Sequence, residues 1–319
     1  MEEIICKFVH LGNIKKKLQK NFEITFITGA IFSWIIGIKI WQLPIILPDK
    51  QSIGLLFYHY LLPLIYALMI QILIIVLRHL LKKPTKYKRG DLLIILGYIP
   101  LIFVTVILHF NFKAWMPLVN PVLFDNLYAK IDSLVPIAST LESLSVLLHL
   151  NTTGPALYHG LFVLMFFLSF IIHLSFDSFI NFRKVVVGTC LILLLGSFSY
   201  WIAPAIGPFI LKKPTLSSFS VYQGHMYSLY LSLKSTGIPP VGYFSNAPAA
   251  MPSLHIANSF FFLSMAKKNF PILNKIYFLF LGYIVIVAVG SGWHYFIDLI
   301  GGLLLSLIVI NIIDKVIVE

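Results

Sequence analysis

The sequence predicts an all-α integral membrane protein with about eight transmembrane helices. Three observations carry that expectation. Of the 319 residues, 59% are hydrophobic and 11% charged, with a mean hydropathy of +0.91, a balance foreign to soluble domains. Eight apolar runs reach or approach bilayer length, at 23–43, 53–77, 92–112, 155–178, 185–204, 252–266, 275–292 and 294–314. The Lys and Arg residues fall in short clusters between these runs, as topology signals do. The net charge of +12 therefore reads as membrane orientation and predicts no nucleic-acid partner.

The chain opens on a basic tail, Met1 to Asn21, with Lys7, Lys15, Lys16, Lys17 and Lys20. No small-residue cleavage pattern follows the first apolar run, so it reads as a retained anchor. With the tail in the cytoplasm, inner segments collect 17 of the 24 Lys and Arg residues and outer segments seven. Eight spans then leave both termini cytoplasmic. The outer segment from Lys113 to Asn151 has no clean spanning run but carries Asn120-Pro121, Asp125 and Asp132. It is expected to form one or two helices lying at the interface. The outer loop from Ala203 to Ala250, with Pro204, Gly207-Pro208, Pro214 and Pro239-Pro240, is long enough to roof a pocket. Asn151-Thr152-Thr153 matches a glycosylation acceptor, relevant only in a secretory-pathway membrane. Cys6 in the tail and Cys190 in an apolar run predict neither a disulfide nor a cysteine metal site.

Two short polar patches stand at the mouths of apolar runs: Ala250 to Ser259, and Gly290 to Gly302. Ser253, His255, His294 and Asp298 sit where lipid penalises polarity, which marks them as functional candidates. The charge alternation puts all four on the outer face without having used them. Pro252 suits the first position of a helix. The N–H groups of Ser253, Leu254 and His255 would then point from the helix end as an anion site, favoured by the dipole. His294 and Asp298 are four apart, so on one helix they share a face with Asp298 about 6 Å deeper. The carboxylate would accept Nδ1–H of His294 and leave Nε2 free to attack or to take a proton.

Pro252-Ser253-x-His255 followed by His294-x-x-x-Asp298 resembles the second and third motifs of the type 2 phosphatidic acid phosphatase (PAP2) superfamily. Met251-Pro252-Ser253-Leu254-His255, His294 to Gly302, and Tyr200 to Pro208 are most similar to its branch containing inositol phosphorylceramide synthases and related bacterial enzymes. The resemblance implies a six-helix catalytic bundle in residues 91–319, preceded by the tail and two membrane helices in 1–90. It implies His294 as the nucleophile forming a phosphohistidine, Asp298 as its orienting partner, His255 as the acid on the leaving oxygen, and Ser253, Leu254 and the helix start holding the phosphate. It implies no metal or cofactor, and as partners a lipid phosphate substrate and a lipid hydroxyl acceptor. Two features depart from the family pattern. The Ser-Arg pair of the phosphatase branch is replaced by Val287 and Ala288, and the first motif, Lys-x6-Arg-Pro, is absent as written. Lys212 and Lys213, before Pro214, stand near its expected place and are candidate phosphate contacts, because a phosphoryl-transfer transition state needs positive charge on its oxygens. The missing third-motif arginine shifts weight from phosphatase towards phosphotransferase, including transfer of an inositol-phosphate-type headgroup, without deciding between them.

The other histidines have a plainer expectation. His59, His79, His109, His149, His159 and His173 read as hydrogen-bonded packers, His10 as a solvated tail residue, and His225 stays open. Two rival readings of the site remain. His255, His294 and Asp298 also fit a two-His-one-carboxylate metal site, which chelator sensitivity would reveal. They also fit a proton relay in a transporter, although transporter sites lie near the midplane between related halves and no halves are visible here.

Overall fold

In the computed structural model, residues 21–84, 89–150, 154–212 and 217–318 are described, without the side chains of Arg89, Gly90, Gly154, Pro155 and Ser217. Residues 1–20 of the basic tail, the Asn151 acceptor and Lys213 lie outside them. Each of the eight apolar runs is a helix: α1 (Phe22–Lys39), α2 (Lys50–Leu80), α3 (Arg89–Ala114), then, after the outer segment with α4 (Asp125–Ser133) and α5 (Pro136–Leu147), α6 (Gly154–Phe176) and α7 (Phe179–Ile202). The roof segment carries α8 (Ser220–Thr236), and α9 (Leu254–Ala266), α10 (Pro271–Gly290) and α11 (Phe296–Val316) complete the chain. Seven of these are long and apolar enough to cross a membrane, and α9, with 13 residues, is the short one. The protein is a multi-pass, all-helical integral membrane protein.

Local chemistry sets several starts. Asp49 caps α2 by accepting the N–H of Ser52 at 2.7 Å, Ser178 caps α7 by accepting that of Asn181 at 3.1 Å, and Pro136 and Pro271 open α5 and α10, where a missing N–H costs nothing. Lipid tails are as apolar as leucine, so helices in a bilayer associate through close packing more than through hydrophobic burial. The central helix α7 shows this. It is buried along most of its length, and a Cβ at Gly188 would lie 2.2 Å from the Phe261 ring of α9. The outermost helix, α1, turns Ile24 and Phe32 outward, 66% and 63% exposed. Glu23 ties it to α7 through Arg183, at 2.5 and 2.8 Å.

The roof differs from expectation. Its Ser/Tyr-rich middle reads as loop by composition, yet 17 residues form α8, which buries Gln223, Met226, Tyr230 and Leu233. Their spacing is helical, but the surrounding polarity obscures it. Gln223 donates to the carbonyl of Ser291 at 2.7 Å, so the roof is pinned to the turn before His294.

Candidate active site

Two helix starts build the site, and both lie later than the sequence suggests. Pro252 is outside α9: Ser253 is the N-cap, its hydroxyl accepting the N–H of Ile256 at 3.5 Å, and its own N–H is used by the carbonyl of Asp298 at 3.0 Å. The N–H groups of Leu254 and His255 are left as the first-turn donors without an intrahelical acceptor. His294 does not share a helix with Asp298. It sits in the turn before α11, its N–H on the carbonyl of Ala288 at 3.1 Å. The reason is local: the Asp298 carboxylate accepts the N–H of Tyr295 at 2.8 Å, which caps α11 and stops it from winding back to His294.

Three of the four candidates, Ser253, His294 and Asp298, nonetheless meet. Ser253 Oγ lies 3.2 Å from His294 Nε2, and Asp298 Oδ2 lies 3.5 Å from His294 Nδ1. Ser253, His294 and Asp298 are all buried. Gly302 makes the approach possible, since a Cβ there would lie 2.3 Å from the Ser253 carbonyl. The Asp298 carboxylate thus stands behind one ring nitrogen of His294, and the Ser253 hydroxyl lies within hydrogen-bond distance of the other.

Helix α4 holds this turn from behind. Asp125 accepts the N–H groups of Ile206 and Gly207, the latter at 2.8 Å, and the Tyr295 hydroxyl at 3.1 Å. Asp132 accepts those of Phe296 and Ile297, at 2.7 and 3.3 Å, and so satisfies two orphan donors at the start of α11. Burial pushes both carboxyl groups up from the ordinary range, against the downward pull of these hydrogen bonds. Gly207, at φ 131°, passes so close to the turn that a Cβ would lie 2.6 Å from the Trp293 carbonyl.

His255 and His294 both line one cavity of about 160 Å³, together with Leu254, Asn258 and the roof residues Tyr222 and Met226. Lys212 is not there. It is exposed and paired with Glu142 at 2.5 Å, and Lys213 falls outside the described residues. Among the described residues, Lys113 is the one lysine or arginine lining the cavity, and it has no ion-pair partner. Sequence reasoning assigned it no role, although a signal existed. Lys113 and Asn120-Pro121 stand at the spacing of Lys-x6-Arg-Pro with asparagine for arginine, and Asn120 holds the Trp201 carbonyl at 2.9 Å.

The histidines read as packers divide. His109 hydrogen-bonds Ser197 at 2.6 Å and His173 bonds Asp177 at 2.7 Å, His79 and His149 are exposed, and His59 and His159 line the cavity. Among the described residues no three His, Cys, Asp or Glu side chains converge as metal ligands. Against known proteins, a family model described as PAP2 superfamily matches residues 147–312, slightly more than half of the chain. No curated protein and no solved structure matches.

Proposed function

The chain belongs to the PAP2 superfamily, and we propose that it is a membrane-embedded lipid phosphatase or phosphotransferase working through a phosphohistidine. Membership supports phosphatase-type chemistry on phosphate esters, and the fold supports a substrate reached from the membrane. The observation that carries the reading is the line from Asp298 through His294, at the cavity wall, to Ser253. A buried carboxylate behind one ring nitrogen leaves the other as a nucleophile, as in a triad.

His294 Nε2 forms the P–N bond while the P–O bond to the leaving alcohol breaks and His255 gives that oxygen its proton. In the second half an acceptor oxygen forms the new P–O bond, P–N breaks, and the acceptor's proton returns to His255. Water as acceptor makes the protein a phosphatase, and a lipid hydroxyl makes it a headgroup transferase. Ser253, the first-turn N–H groups of Leu254 and His255, and Lys113 would hold the phosphoryl oxygens, with Lys113 supplying charge that the absent arginines do not.

The test follows phosphorus from phosphatidic acid, an isoprenyl diphosphate and phosphatidylinositol, with a diacylglycerol or ceramide acceptor, in wild type and His294→Ala. Release or transfer in wild type and a loss of about 10³-fold or more in the variant is expected. No His294-dependent movement of phosphorus in this panel would sink the reading and favour the transporter.

A further inference from the structure

His255 has a second set of neighbours, on α6, that the chemistry above does not use. Its ring lies 4.3 Å from that of Phe162, 4.9 Å from that of Tyr158 and 5.8 Å from that of His159, centre to centre. His59, on α2, lines the same cavity. Among the described residues neither His59 nor His159 has a hydrogen-bond partner. Unpartnered imidazoles in a membrane helix bundle are expensive unless something visits them.

The backbone adds an independent observation. The helix α2 is interrupted by a π-helical turn at Phe57–Leu61, the turn that carries His59. Pro63 has no N–H to give to the His59 carbonyl, so the α-helical ladder breaks there. Single π turns of this kind are frequent at functional sites. His59 also lies outside residues 147–312, so it is an addition to the matched family region, where a determinant of specificity is more expected than shared chemistry.

The chemistry of the wall selects its ligand. A neutral imidazole both donates and accepts, and so does a hydroxyl, whereas a phosphate is better served by Lys113 and the helix start. By microscopic reversibility the acceptor enters where the leaving alcohol departs, at His255. We propose that His159 and His59 form the acceptor subsite, for an amphiphilic alcohol with a second hydrogen-bonding group close to the hydroxyl that reacts. One hydroxyl gives its proton to His255 as its oxygen attacks the phosphohistidine, and the second group is held by His159 and His59. This rests on the assignment of His294 as nucleophile and His255 as proton carrier.

The experiment uses the full-length protein in detergent with whichever donor of the panel shows His294-dependent turnover, plus octanol or an octane diol with neighbouring hydroxyls. The quantity read is the ratio of phosphorus transferred to the alcohol to phosphorus released to water, which does not depend on how much of a variant folds. Wild type should favour the diol over octanol. His59→Gln and His159→Gln should each lower the diol ratio about tenfold, the worth of one hydrogen bond, and leave the octanol ratio in place. Unchanged diol ratios in both variants, equal losses for diol and octanol, or a wild type that hydrolyses and transfers to neither alcohol would each overturn the subsite while leaving the phosphohistidine enzyme standing. A donor panel without His294-dependent turnover overturns both.

Discussion

At the scale of single residues the site is economical with charge. A phosphoryl-transfer centre has to meet developing negative charge on several oxygens, yet Val287 and Ala288 occupy the places of the family's Ser-Arg pair, and both are fully buried. Lys212, a plausible substitute on sequence grounds, is committed to Glu142 at the surface. Lys113 faces the cavity and has no ion-pair partner among the described residues. Replacing Lys113 by Gln should lower turnover of the lipid phosphate about 10²-fold or more, the scale seen when one donor to a developing oxyanion is removed. Lys113→Arg, which keeps the charge, should recover a large part of that loss, while Lys212→Gln should stay near wild type. Turnover numbers of the three purified variants check this, and equal defects in both glutamine variants would count against it.

At the scale of elements, the turns decide where functional side chains end up. Asp298 both faces His294 and caps α11, so one carboxylate sets where the helix begins and stands behind the His294 ring. A similar His-x-x-x-Asp pair, His173 and Asp177, ties the turn between α6 and α7, and Asn269 joins it from the turn between α9 and α10 at 2.9 Å. Burial pushes the Asp177 carboxyl up, but hydrogen bonds from His173, Asn181 and the Ser178 N–H outweigh it and hold the group at about 2, below its ordinary 3.8. A carboxylate depressed in this way contributes stability that is fully present above its unfolded value and is lost as the pH falls from there through about 2. Asp177→Asn should therefore unfold at lower temperature than wild type at neutral pH. The gap in melting temperature should close progressively below pH 3.8, as thermal scans in detergent across that range would show. Apolar composition and length made all eight apolar helices legible, seven of them long enough to cross a membrane, because a bilayer admits few alternatives to an apolar helix. The helix starts were misjudged by two residues, because the caps, the Ser253 hydroxyl for α9 and the Asp298 carboxylate for α11, are set by contacts the fold delivers. The helix α8 was missed, because its buried Gln223, Met226, Tyr230 and Leu233 are diluted by serine and tyrosine.

At the scale of the whole molecule, the candidate site is assembled from parts far apart in the chain. The candidates His255, His294 and Asp298 sit in compact motifs, whereas His59 and Lys113 come from α2 and α3, before the matched region, where the Lys113-x6-Asn120-Pro121 spacing is the one local pattern and none points to His59. The same assembly bears on orientation. The site lies at the starts of α9 and α11 and beneath the roof that contains α8, while the Arg183–Glu23 and Lys184–Asp314 pairs gather at the start of α7 and the end of α11. Basic residues favour the cytoplasmic side, so the roof and site should face the periplasm or the lumen and the end of α11 the cytoplasm. In a background of Cys6→Ser and Cys190→Ser, single cysteines at the exposed positions Ser235 in α8 and Val318 after α11 report each face. A membrane-impermeant maleimide added to sealed vesicles with the native outer face outward should label Ser235→Cys at once and Val318→Cys only after the membrane is permeabilised. The reverse order would place the phosphoryl chemistry on the cytoplasmic side and require a substrate made available there, whereas the expected order requires that both donor and acceptor be presented from the outer leaflet.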